Sequence, residues 1–268
     1  MLDGTSLRRD PSRTTTIRVA ASVLMLAAVL PLLAQTTGAP LLRHGLSVIP
    51  TPQEVRTDGL RQCRVASPLP LSGDVPLVKS IRIALTDRLE ITATDGPGRL
   101  IASSPRDPND SLWKHDQSYL LTVAPDGVSI EAETPRAAYY AAQTLAQLIE
   151  KRTTIPALTI RDWPAIPTRL VMIATDQGGF QVIDVDYWKR FIRELSALKV
   201  NAVMPYFDAG TFKYRKHPYL GTKGDDGFTV EKAKLLSDYA ARHFVELIPQ
   251  QNSLGHLGGA LGHKELQH

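Results

Sequence analysis

Apolar and polar positions fall into distinct regimes along the chain. Val19 to Ala34 is a run of sixteen residues without a charge, placed behind Arg8, Arg9, Arg13 and Arg18. From residue 80 short alternating runs predict strands. Ile81, Ile83 and Leu85 share one side with Arg82 on the other, Leu89 to Thr94 repeats the alternation, and Asp95-Gly96-Pro97-Gly98 closes it. Tyr119–Val123 and Val128–Ala132 flank Ala124-Pro125-Asp126-Gly127, which predicts a hairpin: proline presets one turn dihedral and glycine permits positive φ. The period then becomes helical. Thr134 is placed to cap, Pro135 stands at the first helical position, and Ala138, Ala141, Ala142, Leu145, Leu148 and Ile149 form one apolar face. Residues 40–163 therefore predict an α+β domain, an antiparallel sheet carrying one main helix.

A different rhythm follows Asp162-Trp163-Pro164. Leu170 to Ala174 is a continuous apolar run of the kind buried on both faces of a parallel sheet. Asp184 can cap a helix whose stripe is Trp188, Phe191, Ile192, Leu195 and Leu198. Ala202 to Phe207 is a second strand, and Thr229 caps a helix facing inward with Leu235, Leu236, Tyr239 and Ala240. Val245 to Pro249 is a third strand, running directly into Gln250–Ser253 and Gly255-His256. This βαβ alternation requires parallel pairing. Three strands take up about 100 residues, whereas a closed (β/α)8 TIM barrel needs ~250. Residues 164–268 are thus expected to be an incomplete barrel of about three strands, the amino-terminal part of a longer protein.

Composition narrows the partners. The chain has 268 residues, 43% hydrophobic and 22% charged, with a net charge of +4. Asp3 and Asp10 against the four leading arginines put +2 of that charge in the first 39 residues, leaving 4 − 2 = +2 elsewhere. With no basic run beyond that point, no nucleic-acid partner is expected. The arginines, the apolar run and Thr37-Gly38-Ala39 predict a cleaved signal peptide over residues 1–39. The run, interrupted by Pro31, is short for a span of about 20 residues, so no stable membrane span is expected and the mature protein is secreted or periplasmic. Cys63 is the only cysteine, excluding an intrachain disulfide, and no histidine lies near it in sequence, which predicts an incidental thiol.

In parallel sheets the ligand-facing loops leave the carboxyl ends of the strands. Asp208 stands just past the second strand and His256 just past the third, while Arg169 stands at the entering end of the first. An arginine and a carboxylate can fork onto adjacent sugar hydroxyls, and a neutral imidazole can orient a carboxylate. Alone, each has a plainer role: Arg169 as an ion-pair partner in the linker, Asp208 as a turn cap. His256, His263 and His268 are spaced seven and five apart, which fits no helical face, so no metal site and no cofactor are expected.

Taken in order, these segments resemble glycoside hydrolase family 20, the β-N-acetylhexosaminidases. VIPTPQEV and AAYYAAQTLAQLI resemble the family's amino-terminal accessory domain, and IRDWPAIPTRLVM its linker and first barrel strand. ALKVNAVMPYFD resembles the second strand, and GFTVEKAKLLSDYAARHFVELIPQQNSLGH the helix and third strand. The resemblance implies removal of terminal β-linked N-acetylglucosamine or N-acetylgalactosamine from an oligosaccharide or glycoconjugate. It also implies substrate-binding roles for Arg169, Asp208 and His256. Family members let the sugar's own 2-acetamido oxygen attack the anomeric carbon, assisted by an Asp-Glu pair after the fourth strand. No catalytic residue is therefore expected within this chain, which by itself should be inactive. Some positions depart from the family pattern: Leu170 follows Arg169 where glycine is usual, Asp176-Gln177-Gly178-Gly179 stands where an aspartate and an arginine are usual, Gln250 replaces a common glutamate and Leu254 a proline. Two alternatives remain: a non-catalytic carbohydrate-binding or degenerate barrel protein, and a different β/α-barrel hydrolase with a metal at the histidines.

Overall fold

The computed structural model describes residues 39–65, 67–89, 93–96, 99–150, 152–174, 184–206, 212–220, 228–250, 255 and 258–266. The predicted signal segment, Asp208 and His256 lie outside the described residues.

After a short helix α1 (Ala39–Leu42) comes a seven-stranded sheet built from β1 (Glu54–Arg64), β2 (Leu69–Gly73), β3 (Ala93–Asp95), β4 (Leu100–Ser103), β5 (Tyr119–Ala124), β6 (Gly127–Ala132) and β7 (Thr154–Asp162). Its spatial order is β1-β7-β5-β6-β4-β2-β3. The predicted hairpin is present, with Tyr119 opposite Ala132 and Ala124 opposite Gly127. The sheet is mixed rather than antiparallel: β2 runs parallel to β3 and β4, and β4 parallel to β6. The parallel pairs of β2 have one cause. The stretch expected to form a strand at Ile81, Ile83 and Leu85 is instead helix α2 (Val75–Leu89), a crossover that allows parallel pairing. Its buried positions Leu77, Ser80, Ile81, Ala84 and Leu85 recur at helical spacing. Pro76 in the first turn is a start signal. Gly73 makes the entry possible: its φ is +119°, and a Cβ there would lie 1.8 Å from the Ala102 carbonyl oxygen.

Helix α3 (Pro135–Ile149) begins as expected, with Thr134 Oγ1 accepting from Ala137 N at 3.1 Å. It is not buried on one face only. Residues Ala137 to Ala146, with Leu148 and Ile149, are all buried, because α3 is covered by the sheet, by α2 and by the second unit. Its alanines leave little side chain to hold neighbours away, which suits a helix enclosed all round.

The second unit is a three-stranded parallel sheet of order β10-β9-β8, formed by β8 (Leu170–Ala174), β9 (Ala202–Tyr206) and β10 (Glu246–Leu247). Helices α4 (Val185–Ala197) and α5 (Val230–Arg242) connect them, capped by Asp184 and Thr229. Trp188, Ile192, Val203, Phe228, Leu236, Ala240 and Val245 form its core. Leu235, expected inside, is 45% exposed. The opposite face of the sheet carries Leu170 and Met172, 39% and 58% exposed. A last short helix, α6 (Gly258–Leu261), follows.

Candidate functional site

The carboxyl ends of β9 and β10 converge under α5. The segment after β9 is tied back by a parallel bridge between Phe212 and Phe228 and by Lys213 N donating to the Phe228 carbonyl at 3.0 Å. Rings gather there, Phe212 lying 6.1 Å from Phe228 and 5.1 Å from Tyr214 between centroids. With Trp188, Leu247 and Gln250 these side chains line an apolar cavity of about 300 Å³. Gln250 enters it from a parallel bridge to Tyr206, and its Oε1 is buried with no hydrogen-bond partner among the described residues. A neutral amide suits this position, since a carboxylate among these rings would lose its hydration without a counter-charge. Asp208 and His256, the residues expected to face a sugar, lie outside the described residues. Among the described residues no three His, Cys, Asp or Glu side chains gather into a metal site, and no helix is long and apolar enough to cross a membrane.

Arg169 stands immediately before β8, at the entering end of the strand. Side chains alternate along a strand, so Arg169 shares the side of Ile173, which packs into the helix-covered core, and lies opposite exposed Leu170 and Met172. Its guanidinium turns to the junction between the two units. Nε donates to the Lys199 carbonyl (2.6 Å), Nη1 to the carbonyls of Ile166 (2.8 Å) and Pro167 (3.0 Å), and Nη2 to Gln117 Oε1 (2.7 Å). Asn201 Nδ2 donates to the same Pro167 carbonyl at 2.8 Å. In this structure Arg169 therefore fastens the linker to the start of β8 and bridges to the first unit through Gln117.

Beside it lies a buried cluster that the pattern reading missed. Lys199 Nζ donates to Asp162 Oδ2 at 2.7 Å and to the Tyr119 hydroxyl at 2.9 Å. Tyr119 Oη is also 2.7 Å from Asp162 Oδ2 and 2.6 Å from Thr144 Oγ1. Gln53 N donates to Asp162 Oδ1 at 3.1 Å. The Lys199 and Asp162 side chains are only 7% and 10% exposed. Burial pushes the Lys199 ammonium below its ordinary pKa even with Asp162 pulling the other way. Burial, reinforced by the Asp162 charge, pushes the Tyr119 hydroxyl well up. Lys199 follows the C-cap of α4 with φ +61°, a conformation that favours glycine and costs other residues about 1–2 kcal/mol. Phe244 does the same after α5, at φ +56°, and packs its ring 5.2 Å from Tyr139 of α3. The residues after two successive helices thus adopt left-handed backbone and reach into the first unit. His243, the C-cap of α5, adds Nε2 at 2.7 Å from Asp87 Oδ2 of α2 and Nδ1 donating to the Tyr239 carbonyl at 2.8 Å. Only the absence of glycine at Lys199 and Phe244 hints at this in the sequence.

Next to Lys199 and Arg169 a second cavity, about 220 Å³, opens between the units. Tyr140 lines it, 2% exposed, with the Arg169 guanidinium carbon 5.6 Å from the centre of its ring. Burial raises its pKa, and the Arg169 charge draws it partly back. Cys63 is buried, with its thiol pushed up by desolvation, the environment of an unreactive cysteine.

Comparison with known proteins gives this architecture relatives. Residues 45–163 match the family model described as glycosyl hydrolase family 20, domain 2. A beta-hexosaminidase of Porphyromonas gingivalis (strain ATCC BAA-308 / W83) is 24% identical over 247 residues, an alignment spanning 81% of this chain and 31% of that protein. Flavobacterium johnsoniae chitobiase superposes with a TM-score of 0.66 at 24% identity, covering 82% of this chain and 36% of its own. The N-acetyl-beta-hexosaminidase of Streptomyces plicatus gives 0.66 at 22% identity over 80% of this chain and 47% of its own. The GH20 exo beta-N-acetylglucosaminidase of Vibrio harveyi gives 0.68 at 19% over 80% and 37%. The chain thus spans about a third of the curated relative and less than half of each of these enzymes. Residues 45–163 thus match glycosyl hydrolase family 20, domain 2, and the chain as a whole has the fold of these enzymes over the part that it covers.

Proposed function

We propose that this chain supplies the accessory domain and the first three barrel strands of an exported glycosidase that removes terminal β-linked N-acetylglucosamine or N-acetylgalactosamine. The observation that carries the proposal is that the structural likeness covers 80% of the chain, and so extends past the first unit, in enzymes named as an N-acetyl-beta-hexosaminidase and an exo beta-N-acetylglucosaminidase. In this reading the strands present their carboxyl ends to the sugar, with Asp208 taking ring hydroxyls and His256 orienting a carboxylate. Arg169 contributes by fixing the start of β8. The 2-acetamido oxygen of the substrate attacks the anomeric carbon, and an Asp-Glu pair beyond His268 steadies that group and protonates the leaving oxygen. Gln250 replacing a common glutamate favours one rival, a barrel that binds carbohydrate without cleaving it.

Titration of the chain with N-acetylglucosamine and with glucose, followed by NMR, tests the sugar site. The proposal predicts millimolar binding of the acetamido sugar, worth about −4 kcal/mol, weakened by Asp208→Ala and by His256→Ala. Equal binding of glucose, or two variants that bind like the parent, would refute it.

A further inference from the structure

We draw no further inference here: the strongest candidate, the apolar cavity of about 300 Å³ beneath α5 lined by Trp188, Phe212, Phe228 and Gln250, belongs to the candidate site already described, and nothing in the structure shows what covers it.

Discussion

Lys199 offers the sharpest perturbation of the structure. Lys199→Met keeps the aliphatic stem and the left-handed backbone but removes the ammonium, leaving Asp162 10% exposed without its counter-charge. Breaking one half of a buried pair costs about 3–5 kcal/mol. Asp162 retains the Tyr119 hydroxyl at 2.7 Å and Gln53 N at 3.1 Å, so the lower end applies, about 3 kcal/mol. For a domain of this size that corresponds to a Tm fall of roughly 6–12 °C. Adding Asp162→Asn removes the stranded charge and should recover most of the loss, with a coupling energy of about 2 kcal/mol in the double-mutant cycle. Lys199→Gly separates backbone from charge: it loses the same ammonium but relieves about 1 kcal/mol of left-handed strain, so it should unfold later than Lys199→Ala. The assay is urea unfolding of the parent, Lys199→Met, Asp162→Asn, their double variant, Lys199→Gly and Lys199→Ala, six proteins in all, read by circular dichroism. A cost below about 0.5 kcal/mol for Lys199→Met, or strict additivity with Asp162→Asn, would refute the buried pair as the fastening between the units.

Two other tests address the first unit. Asp110 takes a fork from Arg161 at 2.7 Å on each oxygen, and this, helped by Leu112 N, holds its carboxyl well below the usual carboxylate range. Because the unfolded chain then binds the proton at higher pH, the contribution is complete above about pH 4 and is lost as pH falls below it. Asp110→Asn keeps an acceptor for Leu112 N and removes the charge, so its Tm deficit at neutral pH should close on acidification; a deficit independent of pH would contradict the assignment. Thr134→Ala deletes the acceptor for Ala137 N and should cost about 1 kcal/mol, measured by chemical denaturation, while Thr134→Ser should cost little.

Local signals carried much of the fold. Pro125-Asp126 between two alternating runs marks the hairpin, and Thr134-Pro135, Asp184 and Thr229 mark three helix starts, because caps and turns are decided by a few neighbouring residues. The stretch from Ser80 misled because Ile81, Ile83 and Leu85 satisfy a period of two while Leu77, Ile81 and Leu85 satisfy a helical one. Asp74 and Pro76 ahead of it were the arbiters, and only the helical choice permits the parallel pairs of β2. Long-range chemistry was much less legible. Lys199 reads as an ordinary lysine after a helix, Asp162 as part of a linker, and Tyr119 as an apolar strand residue; their meeting depends on how two units dock. Arg169 illustrates the same limit, since its position in the family pattern was plain while its direction depended on Gln117, fifty-two residues earlier.

The most direct test of the central claim is turnover by the protein expressed from its complete reading frame. The substrates are 4-nitrophenyl N-acetyl-β-D-glucosaminide and 4-nitrophenyl β-D-glucoside, which lacks the acetamido group. The account predicts nitrophenol release from the first alone, strongly reduced by His256→Ala and by Asp208→Ala. Release from the glucoside at a comparable rate, or no release from either by folded protein, would contradict it.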